Sequence, residues 1–144
     1  MKFALVIPAR YRSSRFPGKP LTLIAGQSLI SRVWNQCIQA MPKESVYVAT
    51  DDERIAGHCR ELGIQVIMTS EDCLTGTDRT YDASEKIDAD VLINVQGDEP
   101  LIDPEDIKKV LARAEELPGQ VVTGMCRVSS EDEFRSPSVP KVVA

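Results

Sequence analysis

Residues 7–20 read IPARYRSSRFPGKP, and they follow directly on the apolar run Phe3-Ala4-Leu5-Val6-Ile7. A short, continuous apolar segment of this kind fits a parallel strand covered on both faces. The loop after it holds Arg10, Arg12, Arg15 and Lys19 and no acid. Four cations crowded into one Pro- and Gly-punctuated turn repel one another, so the arrangement asks for a polyanion. A solvated basic loop without a ligand is the competing reading. The position of the loop immediately after the first strand favours a binding role, because ligands of open α/β sheets sit outside the carboxyl ends of the strands.

Working outward, residues 21–24 with Gly26 predict a short extended segment and a turn. Ser28 is placed to cap a helix whose apolar positions Leu29, Ile30, Val33, Trp34, Cys37, Ile38 and Met41 follow the 3.6-residue period, and Pro42 stops it. That period makes Trp34 a core residue rather than a stacking platform. Residues 46–50 (VYVAT) predict a second strand. Asp51, Asp52 and Glu53 then open a helix through Leu62, well placed for its dipole, with Gly63 at its end. A metal site at Asp51 and Asp52 competes with first-turn capping, and the position favours capping. Residues 65–69 predict a short strand, residues 70–77 a loop, and Thr77 the cap of a helix through Ile87. Residues 91–95 (VLINV) predict a buried strand that ends in the polar turn Gln96-Gly97-Asp98-Glu99-Pro100. Asp103 and Pro104 start a helix as N-cap and N1. Its buried face is Ile107, Val110, Leu111, Ala114 and Leu117, and Pro118-Gly119 ends it. Residues 121–128 predict a further strand, followed by a polar segment and a last apolar piece at 139–143.

Strands alternating with helices predict an α/β sandwich with a mainly parallel sheet and right-handed crossovers. There is no internal repeat, low-complexity tract or linker, so residues 1–144 are expected to form a single domain. On that layout the basic loop and residues 96–99 lie on one edge of the sheet and face each other.

Charge is divided unevenly. Residues 1–43 carry seven Lys/Arg and no acid, whereas the rest is strongly acidic and brings the net charge to −5. An acidic chain with one basic loop is a poor nucleic-acid binder and suits a small anion, with a divalent metal held by carboxylates. No run approaches the roughly 20 apolar residues of a membrane span. The opening apolar stretch is too short for a secretory signal and runs into Pro8 and Arg10, so a cytoplasmic location is expected. Cys37, Cys59, Cys73 and Cys126 show no CxxC spacing, and Cys37 and Cys59 fall on apolar helix faces as small core residues. With the lone His58, read as a solvated surface residue, no structural zinc site is expected.

The familiar phosphate motifs fail. Gly18-Lys19 is followed by Pro20 and lacks the upstream glycine of a P-loop, and there is no GxGxxG. What remains is Arg10, Arg15 and Lys19 on a loop stiffened by Pro17 and opened by Gly18. Guanidinium forks match phosphate oxygens two at a time, while lysine acts as a point charge. Asp98 follows a strand and a glycine. There it holds Mg²⁺ against phosphate oxygens, or it accepts turn hydrogen bonds; spacing alone leaves the two level. Joined to the basic loop, it favours metal-assisted phosphoryl or nucleotidyl transfer.

IPARYRSSRFPGKPL (7–21), VATDDERI (48–55), MTSEDCLTGTDR (68–79) and NVQGDEPLI (94–102), in this order and spacing, resemble the 3-deoxy-manno-octulosonate cytidylyltransferases, the CMP-KDO synthetases. The likeness runs to Lys141-Val142-Val143. The P-A-R…GK pattern is shared with related sugar-nucleotide enzymes. TGTDR together with VQGDEP is specific to enzymes of 3-deoxy-octulosonates and argues against a CMP-sialate synthetase or another CMP-sugar synthetase.

The resemblance implies a Rossmann-like nucleotidyltransferase fold, a three-layer sandwich. It also implies lipopolysaccharide biosynthesis, with CTP attacked at its α-phosphorus by the anomeric hydroxyl of the sugar acid. Carried over by position, Ala9 and Arg10 would meet the nucleotide, and Arg15 and Lys19 its phosphates. Thr75, Gly76, Thr77 and Arg79 would help read cytosine and ribose. Asp98 would bind Mg²⁺, with Gln96 near the sugar. Lys19 and Asp98 would be the catalytic pair, since positioning and charge neutralisation dominate such transfers and no protein nucleophile is needed. Where the family usually has serine at the start of TGTDR, Thr75 keeps the hydroxyl. Family members run to roughly 250 residues, within what one core supports. Residues 1–144 are therefore expected to be the N-terminal, nucleotide-binding part, with a second metal-binding aspartate, much of the sugar pocket and most of a homodimer interface outside it. A working transferase and an inactive CTP-binding module both fit that expectation. Whether the acceptor is the octulosonate or its 8-amino analogue stays open.

Overall fold

In the structure, a computed structural model that describes residues 1–142, the elements run in chain order. They are β1 (Phe3–Pro8), β2 (Leu23–Ile24), β3 (Gln27–Ser28), α1 (Leu29–Ala40), β4 (Val46–Thr50) and α2 (Glu53–Glu61), then β5 (Gln65–Met68), α3 (Gly76–Ser84), β6 (Val91–Asn94), α4 (Pro104–Glu116) and α5 (Glu131–Arg135). β2 and β3 form a small antiparallel ribbon. The other four strands make one parallel sheet in the order β5-β4-β1-β6.

β1 shows why its sequence is apolar throughout. Leu5 and Ile7 face one side of the sheet and join a core with Ile30, Val33 and Cys37 of α1, Ile55 and Cys59 of α2, and Ile107 of α4. Val6 points the other way and packs with Ala49 and Ala83, where α3 covers the opposite face. Leu5, Val6 and Ile7 are all fully buried, and each such side chain stabilises the fold by about 1.5–3 kcal/mol. The result is the expected three-layer sandwich: α1, α2 and α4, then the sheet, then α3.

The helix starts are local chemistry. The Ser28 hydroxyl accepts from the Ser31 N–H at 3.3 Å, and Asp103 accepts from the Glu105 N–H at 2.9 Å with Pro104 at N1. Asp52 caps α2. Trp34 is half-buried on the rim of the core, its indole N–H buried without a partner.

Several expectations are corrected. Residues 121–128 form no strand, and Val121 is 96% exposed. Apolar spacing makes a strand only where a neighbouring ladder takes up its backbone groups, and this segment pairs with none. Residues 139–142 likewise form no strand, and Val143 of that expected piece lies outside the described residues. Instead the polar stretch between them holds α5, capped by Ser130 on the Glu133 N–H at 3.1 Å. β6 stands at the edge of the sheet rather than in its interior, so Val91 and Leu92 are only half-buried. The cap of α3 is Thr75, two residues before the expected Thr77, because Asp78 at N3 completes a capping box with it. His58 is not a solvated surface residue. Three positions after Ile55 and next to Cys59, it flanks the buried face of α2, with Nε2 2.8 Å from the Ser28 hydroxyl.

All four cysteines are free. Burial pushes the Cys37 thiol up to about 12 and the Cys59 thiol to about 11, which marks both as inert packing groups. No helix among the described residues is long and apolar enough to cross a membrane.

Candidate functional site

The chain runs outward from β1 to β4 and β5, then returns to place β6 on the other side of β1. Strand order therefore reverses between β1 and β6, where open α/β sheets leave a crevice at their carboxyl ends. The basic loop leaves β1 at that point, and residues 96–99 leave β6. They meet: Lys19 Nζ lies 2.8 Å from Asp98 Oδ2, both side chains about half exposed (49% and 54%).

Backbone geometry delivers the two groups. Gly18 takes φ 71°, a left-handed conformation glycine adopts at little cost, and its N–H donates to the Tyr11 carbonyl at 2.8 Å to close the loop. Lys19 then opens a single 3-10 turn, Lys19–Leu21, with Pro20 buried beneath it. On the other side, a Cβ on Gly97 would stand 2.7 Å from the Pro8 carbonyl oxygen, so only glycine allows the β6 loop this close to the end of β1. Gly76 is similarly tight: a Cβ there would lie 3.1 Å from both the Gln96 Oε1 and the Pro8 ring. Three of the quoted motifs thus converge on Pro8.

The remaining candidates divide. Arg10, Arg12 and Arg15 are exposed. Arg10 and Arg12 line an open depression of about 560 Å³ together with Tyr11, Pro17 and Arg54, and Arg15 stands outside that lining. Thr77 is exposed. Gln96 is exposed, its Nε2 donating to Asn94 at 3.2 Å. Ala9, by contrast, is a core residue whose N–H continues the ladder to the Ala49 carbonyl at 2.8 Å. The Thr75 hydroxyl accepts from the Asp78 N–H at 3.1 Å and donates to the Asp78 carboxylate at 2.8 Å.

Arg79 is the largest surprise. It is 3% exposed, and its Nη1 donates to the Thr69 hydroxyl and to the Ser70 carbonyl. Nη2 lies 3.1 Å from Asp51 Oδ1. That oxygen has no aligned hydrogen bond, so the contact is mainly Coulombic. Buried in this way, Arg79 ties the start of α3 to the ends of β4 and β5 instead of presenting itself to a ligand.

Two residues belong to the neighbourhood in roles the sequence reading does not give them, Asp51 being weighed there as a cap or metal ligand. Asp51 is the partner of Arg79. Arg54 reaches from the first turn of α2 into the lining of the basic-loop depression, its guanidinium carbon 3.3 Å from the centre of the Tyr11 ring. The acids of VATDDERI were a visible signal for the first, but nothing in the sequence set Arg54 against Tyr11.

For a divalent cation the described residues offer no cluster of three or more His, Cys, Asp or Glu. The half-exposed Asp98 carboxylate is an oxygen donor of the kind hard cations take, and one or two such carboxylates suffice where phosphate oxygens and water complete the shell.

The family pattern described as cytidylyltransferase matches residues 4–144. A 3-deoxy-manno-octulosonate cytidylyltransferase from Trichlorobacter lovleyi is 46% identical over 144 residues, covering 99% of this chain and 57% of that protein. The protein of the same name from Escherichia coli is 42% identical over 142 residues, covering 99% of this chain and 58% of its own length. The chain thus spans little more than half the length of these curated relatives. A solved structure of CMP:2-keto-3-deoxy-manno-octonic acid synthetase complexed with CTP matches with a TM-score of 0.79 at 43% identity, covering 83% of this chain and 49% of that one. By sequence over nearly its whole length and by fold, the chain belongs to the cytidylyltransferase family.

Proposed function

We propose that this chain carries the CTP-binding part of an enzyme that transfers CMP from CTP to the anomeric hydroxyl of 3-deoxy-manno-octulosonate or its 8-amino analogue. The observation that carries the reading is the Lys19–Asp98 pair, formed across the reversal in strand order by the basic loop after β1 and the acidic turn after β6. A 43%-identical relative described as complexed with CTP supports the nucleotide.

In the transfer, the sugar hydroxyl loses its proton to solvent as its oxygen bonds to the α-phosphorus, the bond from that phosphorus to the bridging oxygen breaks, and pyrophosphate leaves. Lys19 neutralises phosphate charge as it leaves Asp98, and Arg10 and Arg15 bind phosphate oxygens with their forks. Gly76 and Gln96, packed together at the end of β1, line the side towards nucleoside and sugar. Buried Arg79 shapes that side from within, and the Thr75–Asp78 capping box fixes the start of α3 at its surface. Asp98 would hold Mg²⁺, which would supply further charge neutralisation at the phosphates. The reading brings with it a cytoplasmic location, a place in lipopolysaccharide biosynthesis, no nucleic-acid or membrane partner, and a homodimer like that of the family.

Pyrophosphate release from CTP, Mg²⁺ and the octulosonate acid tests it. Turnover supports the transferase. CTP-dependent thermal stabilisation without turnover leaves a CTP-binding module, and neither result overturns the reading. Turnover only with a different sugar acid assigns another CMP-sugar synthetase.

A further inference from the structure

A basic loop of four mutually repelling cations needs something to hold its shape before any anion arrives. The structure offers a brace from outside the loop. Arg54 Nε donates to Asp52 Oδ1 at 2.9 Å, and Nη2 donates to Asp52 Oδ2 at 2.7 Å. This two-pronged hold fixes the guanidinium plane and offsets its charge, so Arg54 approaches the loop without adding another uncompensated cation. The plane lies over Tyr11, 3.3 Å from the ring centre. Tyr11 in turn grips Gly18 twice. Its carbonyl accepts the Gly18 N–H at 2.8 Å, and its ring atoms come within 3.0–3.2 Å of where a Cβ on Gly18 would stand. The next residue is Lys19, which reaches Asp98.

We propose that Arg54 is a positioning residue: held by Asp52 and stacked on Tyr11, it keeps the Gly18–Lys19 turn in the shape that aims Lys19 at Asp98. The inference rests on the CTP-binding reading for its ligand, but the clamp itself is a property of the ligand-free chain. Asp52 takes the Nε/Nη2 edge of Arg54, so that edge is committed to the brace and only the Nη1 side is left facing the depression. Stacking, not charge alone, is what the loop requires of it.

Arg54→Ala, Arg54→Lys, Tyr11→Leu, Tyr11→Phe and the Arg54→Ala/Tyr11→Leu double variant test this. Two measurements are made on each: the rate of tryptic cleavage after Arg12 and Arg15 without ligand, and Mg·CTP affinity by calorimetry. Arg54→Ala and Tyr11→Leu are each expected to speed cleavage and to weaken CTP binding by about two- to fivefold, the size of an exposed cation–π contact. The double variant is expected to lose no more than either single one. Tyr11→Phe keeps the stack and is expected to behave as wild type, whereas Arg54→Lys, which keeps only the charge, is not expected to rescue. The proposal is overturned by cleavage and affinity unchanged in Arg54→Ala, by losses that multiply in the double variant, or by full rescue with lysine. If the wild-type chain binds no CTP, the functional reading falls, and the tryptic rates by themselves decide whether the clamp exists.

Discussion

Two ion pairs stand on the carboxyl edge of the same sheet, and they do opposite jobs. Arg79 and Asp51 are 3.1 Å apart with side chains 4% and 21% exposed, and Arg79 also bonds Thr69 and Ser70. Lys19 and Asp98 are 2.8 Å apart but about half exposed. Desolvated charges cannot part without leaving one of them unpaired in a poor solvent, so the first pair is scaffold. Water can take over either member of the second at little cost, so that pair is free to exchange partners. Burial, rather than residue type, separates the charge that braces the sheet edge from the charge left free to meet a ligand.

That contrast can be broken by experiment. Removing the buried cation with Arg79→Ala strands Asp51 and is expected to cost about 3–5 kcal/mol in urea denaturation; a loss under about 1 kcal/mol would erase the distinction. Lys19→Ala is expected to do the reverse, changing stability by less than about 1 kcal/mol. It is expected to weaken CTP binding about tenfold or more, the worth of a lost charged contact. Retained CTP affinity in calorimetry would remove Lys19 from the phosphate site. Thr75→Ala sharpens the scaffold side, since loss of the capping hydroxyl is expected to cost about 1 kcal/mol without any ligand present. An unchanged melting temperature would mean that the box does not hold α3.

The smallest effect is one of pH. Hydrogen bonds from the Arg54 side chain hold the Asp52 carboxyl below the usual carboxylate range. A depressed folded value means that the contribution is fully present above the unfolded value of about 3.9 and is lost as pH falls through the folded one. The stability difference between wild type and Asp52→Asn is therefore expected to be level from neutrality to about pH 4 and to shrink below it. A difference that stays constant down to acid unfolding would contradict the pairing.

Much of this arrangement was legible in the residues. The apolar β1, the Ser28 and Asp103 caps and the parallel sheet all follow from period and local chemistry. So does the meeting of Lys19 with Asp98, which needed only the rule that ligand loops leave the carboxyl ends of strands. What sequence could not supply was long-range placement. Residues 121–128 have strand composition but no ladder to join, because pairing is decided by neighbours and not by the segment itself. Arg79 and Arg15 look alike in a sequence; only the packing of α3 against β1, β4 and β6 buries one and leaves the other in water. Thr75 and Thr77 both offer a capping hydroxyl, and the choice fell to the one with an acid three residues on.

Gly97 shows what this closeness means for reading tolerance from a screen. It carries no functional group, yet any side chain at that position would have to push aside a backbone oxygen 2.7 Å away. A saturation library sorted on folded yield would therefore reject Gly97 substitutions alongside those of the core, for want of space and not for want of chemistry.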